Sequence, residues 1–393
     1  MQNDGADLWF PVKDHPSDKA ETTSLHFTVP DPLVAAANGR LQSIKRNEDG
    51  TSTYNWFISQ PISNYCIALN VAPYSLIKDE VRSVTGEMMP IEFYVTPEHF
   101  EKGKELILKL KDYVAFFEKY LGPYPFRADK IGIAETPHLG MEHQSITAYG
   151  NNFKYDADGF DSLLFHEFGH EWWANLVTAN DWNGFWIHEG FQSYMDTFFV
   201  EFRKGRQAYF DAMKKRRLAI RNVKPIAPRE SRTTVQMYLM PPDYVRSDGD
   251  IYGKGALILH TLRYYIGDDA FFRSIRRMAY PDPAKEKVTD GTQNRLTDTD
   301  EFLRIAERES GKKLGWFFEQ YLRNASLPKL NVKEEGGFLE LSWDHIPGID
   351  FPMPIDIEID GARKRVEVGR SVRIPLKAGA KYSVDPDGWV LKN

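Results

Sequence analysis

The chain has 393 residues, of which 42% are hydrophobic and 13% aromatic, enough for a sizeable core and for two or three domains. Its formal charge of -6 lacks the basic excess that a phosphate backbone requires, which excludes nucleic acid as a partner class. A single cysteine, Cys66, excludes an internal disulfide and a cysteine metal cluster, and no apolar run approaches the roughly 20 residues of a membrane span. The first fifteen residues are polar and acidic rather than an export signal. The expectation is a soluble protein, cytoplasmic or exported with its signal removed, whose oligomeric state the sequence leaves open.

In chain order, Leu25 to Val29, Tyr54 to Ile58 and Ile67 to Val71 are short runs rich in β-branched and aromatic residues, separated by turn-formers such as Asn47-Glu48-Asp49-Gly50. They predict a β-domain. A further strand, Ile91 to Val95, precedes Glu101 to Leu121, whose apolar residues at 106, 108, 110, 114 and 117 follow a mainly helical pattern that Gly122-Pro123 ends. Helical patterns continue to about Asn324. One of them, Asp298 to Ser310, opens with Asp298 and Glu301 at capping-box spacing and stops at Gly311. The basic run Lys214 to Arg217 is expected to be a solvated helix face. Beyond Pro328 alternation returns, in Phe338 to Trp343, Ile355 to Ile359, and Val366 with Val368 after the Asp360-Gly361 turn, and predicts a small β-sandwich.

Chemistry concentrates in the helical block. His166-Glu167-Phe168-Gly169-His170 is an H-E-x-x-H pattern, and residues four apart on a helix share a face, so both imidazoles can reach one ion. Zinc accepts histidine nitrogen and carboxylate oxygen and, in a catalytic site, takes three protein ligands. Glu189 is expected to be the third. The eighteen residues before it include Asn180-Asp181-Trp182-Asn183-Gly184, long and turn-rich enough for the chain to reverse and start a second helix that Glu189 would open. Glu167, between the histidines, is then a general base rather than a ligand: it would polarise a zinc-activated water and carry its proton to the leaving amine. Asp196, seven residues beyond Glu189, falls on the same helix face and is a candidate acceptor for the free N–H of a ligand histidine. Trp172, Trp173 and Phe191 are expected in the core.

His166 to Thr178 together with Trp186-Ile187-His188-Glu189-Gly190 resembles the gluzincin aminopeptidases, the family of aminopeptidase N and leukotriene A hydrolase, whose motif is H-E-x-x-H, eighteen residues, then Glu. The resemblance implies a thermolysin-like catalytic domain, one zinc ion and hydrolysis of the N-terminal peptide bond of peptides with a free N-terminus. Leu139-Gly140-Met141-Glu142-His143 is similar to the family's G-x-M-E-N exopeptidase motif, with Leu139 and His143 as departures, and assigns Glu142 to the substrate amine. An ammonium taken out of water needs a carboxylate partner, and that pairing sets how many residues precede the scissile bond. Tyr252-Gly253-Lys254-Gly255 resembles the family's Y-x-K-G element and implies that Tyr252 donates to the oxyanion.

Trp9-Phe10-Pro11-Val12-Lys13-Asp14-His15-Pro16-Ser17-Asp18-Lys19 resembles the middle of the family's N-terminal β-domain, and by its register Gln2 would assist in holding the substrate amine. Val384-Asp385-Pro386-Asp387-Gly388-Trp389 resembles the end of the family's small β-sandwich, with the large C-terminal helical domain missing. The expected architecture is therefore multi-domain α+β: a partial N-terminal β-domain (1–73), a thermolysin-like, mainly helical catalytic domain with a small sheet (74–327), and a C-terminal β-sandwich domain (328–393). Two other readings stand beside the aminopeptidase: a thermolysin-like endopeptidase, which has no use for an amine anchor at Glu142, and a non-catalytic scaffold of the same fold. A shortened form should have an open cleft and tolerate peptides of varied length. Hydrolysis rates measured from dipeptides to decapeptides are expected to change little, and a sharp fall beyond tripeptides would contradict this.

Overall fold

The structure, a computed structural model, describes residues 6–233, 236 and 250–393. Gln2 lies outside the described residues. The helices used below are α1 (Phe100–Leu121), α2 (Ser162–Gly169), α3 (Trp186–Lys204), α4 (Arg206–Ala219), α5 (Asp250–Ile266), α6 (Asp268–Ala279), α7 (Thr299–Ser310) and α8 (Gly315–Tyr321). The chain divides into two compact units, one formed by residues 1–182, 232–239 and 275–298, the other by 183–231, 240–274 and 299–393.

The first unit begins with β-structure. Strands Thr23–Pro30, Thr51–Ile58 and Arg40–Arg46 form an antiparallel sheet, and Val34–Ala37 pairs with Leu69–Ala72. The predicted Ile67–Val71 strand starts two residues late because Asn64–Cys66 is a 3-10 turn capped by Ile67. Trp56, Tyr54, Ala35, Ala36 and Ala37 close a core against Tyr94 and Ala134 of the sheet that follows and against Ile146, just before its strand Thr147–Tyr149.

That sheet has the order Gly140–Met141, Thr147–Tyr149, Ile131–Glu135, Met88–Val95, Ser75–Arg82. Met88–Val95 and Ile131–Glu135 run parallel, and parallel neighbours need a long crossover, which α1 supplies. The helix buries Leu106, Ile107, Leu110, Val114 and Phe117 and ends at Gly122, whose φ of 105° suits a residue without a side chain. Leu108, in the predicted apolar set, is exposed instead: it falls on the helix face opposite Leu106 and Leu110. Phe117 of α1 stacks on Phe165 of α2 (4.7 Å between centroids) and on Trp172 (5.2 Å). This aromatic face anchors the segment that bears the two histidines.

In the second unit α3 packs on α5, and α4 packs on both. The basic run splits: Lys214 and Lys215 are exposed, but Arg216 reaches Thr197 (2.7 Å) and Asp196 (3.6 Å), and Arg217 bonds the carbonyl of Lys392. Only half of that face is solvated, because α3 and the chain's last residues cover the rest. The end of the chain forms two three-stranded antiparallel sheets: Lys329–Glu335, Phe338–Asp344 and Val372–Pro375 in one, Ala362–Glu367, Pro354–Ile359 and Tyr382–Val384 in the other. Trp389 stacks on the buried His260 of α5 (4.6 Å), and Leu391 N–H donates to Thr261 (3.0 Å). Among the described residues no helix is long and apolar enough to cross a membrane.

Contact between α3 and α5 depends on two glycines. A Cβ on Gly255 would stand 2.7 Å from the Cα of Gly190, and one on Gly190 would stand 3.0 Å from the Cα of Gly255. The helix backbones touch there, so Gly255→Ala must push them apart. Chemical denaturation of that variant should show a loss of about 1–3 kcal/mol, the usual cost of overpacking.

Candidate metal and catalytic site

Helix α2 starts where Asp161 accepts the N–H of Leu164 (3.0 Å), a side-chain N-cap, while Tyr149 donates to the other oxygen of the same carboxylate (2.6 Å). The helix is short. It ends at Gly169, with His170 as its C-cap at φ −65° and ψ −11°, so the helical run expected through the second histidine stops at it. Nearly helical backbone at His170 still keeps the four-residue spacing on one face. The Nε2 atoms of His166 and His170 stand 3.2 Å apart.

Two bare imidazole nitrogens repel at that distance unless a proton or a cation lies between them. Nitrogens each about 2.0–2.1 Å from one tetrahedral zinc ion stand about 3.3–3.4 Å apart, so the pair fits the ion. His170 Nδ1 donates to the carbonyl of Trp173 (2.7 Å), which fixes the tautomer that turns the Nε2 lone pair toward His166. Ligand atoms of His166, His170 and Glu189 all lie within 4.8 Å of one another. Two neutral nitrogens and one carboxylate are a donor set that suits zinc.

Glu189 sits in the first turn of α3 rather than at its first residue, where an acidic side chain also faces the positive end of the helix dipole. Its Oε1 accepts the hydroxyl of Tyr252 at 2.9 Å. Tyr252 and Gly255 are three apart on α5 and share a face, so the glycine that lets α5 touch α3 also brings the tyrosine to Glu189. Asp196, two turns further along α3, accepts Gln192 Nε2 (3.0 Å) and stands 3.6 Å from Arg216. For His170 the acceptor is the Trp173 carbonyl. The turn after α2 folds back and presents that carbonyl three residues on.

Glu167 projects from α2 between the histidines and is nearly buried. The strand Gly140–Met141 passes against it, and a Cβ at Gly140 would stand 2.6 Å from Glu167 Oε1. Any side chain at position 140 would collide with the carboxylate. Glu142 follows two residues later and is itself buried. Of the two departures from the exopeptidase pattern, Leu139 points outward, 65% exposed. The other, His143, is kept neutral because loss of water around its ring lowers its pKa. Trp172, Trp173 and Phe191 are core residues, as expected. Sequence reasoning passed over Gly140, Gly190 and Asn175. The first two lay inside motifs already quoted, and Asn175 carried no signal beyond its place in the resemblance.

The family profile described as "Peptidase family M1 domain" matches residues 100–321, more than half of the chain. Human (Homo sapiens) glutamyl aminopeptidase is 25% identical over 339 residues, which is 82% of this chain and 33% of that protein. The crystal structure of Legionella pneumophila aminopeptidase A in complex with aspartic acid superposes with a TM-score of 0.75 at 21% identity, covering 95% of this chain and 44% of that one. A mutant M1 zinc metallopeptidase from Deinococcus radiodurans, bound to a Tyr-Ser-Ala substrate, gives 0.64 at 22%, covering 81% and 67%. The chain thus spans a third of the length of the human relative. The donor geometry makes a thermodynamic prediction: with free zinc at about 100 times Kd the folded state should gain about 2.7 kcal/mol. Thermal unfolding should show a zinc-dependent rise in Tm that His170→Ala abolishes.

Proposed function

Because the chain belongs to peptidase family M1, we propose that it is a zinc-dependent aminopeptidase that hydrolyses the first peptide bond of peptides with a free N-terminus. The observation that carries this reading is the convergence of His166, His170 and Glu189 with Glu167 between the histidines and Tyr252 on Glu189. In the proposal these three side chains hold one zinc ion. When bound, zinc supplies Lewis acidity, which polarises a carbonyl and acidifies water.

The chain's own groups divide the remaining work. Glu142 pairs with the substrate's α-ammonium and places the first residue of the peptide. Glu167 takes a proton from the attacking water and returns it to the leaving amine. The hydroxyl of Tyr252 donates to the oxygen that gains charge as the carbonyl becomes tetrahedral. Gln2 is assigned to the same ammonium as Glu142, and Asp196, which also meets Gln192 and Arg216, to accepting the free N–H of a ligand histidine. We also propose the division into 1–73, 74–327 and 328–393 as the functional domain plan.

A panel of fluorogenic aminoacyl amides, each tested free and N-acetylated, examines the reading directly. Cleavage of the free forms alone is expected; cleavage of acetylated peptides would instead identify an endopeptidase. Glu167→Gln should bind zinc normally and turn over nothing, and near-normal turnover would refute the assigned base. Tyr252→Phe should lose roughly 10²–10³-fold in kcat, the usual effect of removing one oxyanion donor.

A further inference from the structure

The loop bearing Glu142 is held by polar groups that the hydrolytic steps do not use. The Glu142 carbonyl accepts Asn175 Nδ2 at 3.0 Å, and the N–H of Ser145 donates to Glu171 Oε1 at 2.7 Å. On its other side the Gln144 carbonyl accepts Asn38 Nδ2 (2.6 Å), and Ser145 Oγ accepts the N–H of Gly39 (2.9 Å). Ser145 has a φ of 56°, a region that residues with side chains seldom adopt. Its path is therefore imposed by these partners.

Asn175 is the hub. It is 1% exposed, and each of its polar groups is engaged. Its Oδ1 accepts the thiol of Cys66 (3.2 Å), its N–H donates to the carbonyl of His170 (3.0 Å), and its own carbonyl accepts Lys19 Nζ (2.8 Å). Ala174 just before it has a φ of 139°, a strained conformation that persists only where its surroundings over-determine it. One buried residue thus touches the histidine turn with its backbone and the Glu142 loop with its side chain.

We propose that Asn175 is a positioning residue that fixes the spacing between the Glu142 loop and the histidine turn, and through it the one-residue register of cleavage. The inference rests on the proposed aminopeptidase reading. A side chain that only filled the core would affect all ligands alike. One that spaces an amine anchor affects only ligands that carry an α-amine, and a displacement of about 1 Å is enough to cost up to about 10²-fold.

The test uses the full zinc-loaded chain and two variants, Asn175→Ala and the isosteric Asn175→Asp, which keeps an acceptor for Cys66 but loses the donor to Glu142. Zinc content, kcat and KM for the best amide of the panel, and calorimetric affinities for its free amino acid and for acetohydroxamate, which binds metal without an α-amine, are measured. KM and the amino-acid Kd should both rise about tenfold or more, with kcat, zinc content and acetohydroxamate affinity close to wild type. Should the alanine variant not fold, the aspartate variant decides. Unchanged KM and amino-acid affinity, or an equal weakening of both ligands, would overturn the inference while wild-type turnover leaves the proposed function standing. A zinc-loaded wild type that binds neither amide nor amino acid would overturn both.

Discussion

Two imidazole nitrogens held 3.2 Å apart are the constraint on which the rest of the site depends. Without a proton or a cation between them, nitrogens at that distance repel, so the approach depends on the folded chain holding both rings in place. The means are visible in the surroundings of α2: an Asp161 cap at its start, the stacked rings of Phe117, Phe165 and Trp172 behind it, and the Trp173 carbonyl that fixes His170 at its end. Aromatic burial here removes freedom from the candidate metal site.

A second constraint is steric and concerns places where a side chain would be too much. Gly140 leaves room for the Glu167 carboxylate, and Gly190 and Gly255 allow α3 and α5 to touch. Each glycine sits inside a motif whose charged or aromatic members draw attention first. Their contribution is to set how closely those members approach: Tyr252 reaches Glu189 at 2.9 Å because nothing stands between the two helix backbones.

Buried polar groups supply the third. Lys130, desolvated until its pKa falls to about 8, donates to the carbonyls of Ala37 and Gly39 beneath the ring of Trp56. Asn38 ties the same turn to the carbonyls of Cys66 and Gln144. Burial of such groups costs stability unless every one is satisfied, and satisfied networks allow one arrangement where apolar packing would tolerate several. The strands at the start of the chain are thus joined to the loop after Met141 by specific bonds, and the loop's unusual backbone follows from them.

The sequence by itself determined the donor chemistry and much of its local frame. Histidines four apart, an acidic residue after eighteen intervening residues, α1 with its glycine stop, and the return to alternation after Pro328 are all periodicities or residue types, and each is written in the order of residues. Tertiary structure alone decided who holds them. The acceptor for His170 is a backbone carbonyl, and so is the group that Asn175 grips on Glu142. Every residue carries a carbonyl, so no residue type marks which one the fold will present. Arg216, which pattern placed in solvent, is likewise turned by the packing of α4 on α3 toward Thr197 and Asp196. Spacing along a chain specifies what can share a helix face; which surface that face meets depends on contacts between residues far apart in sequence.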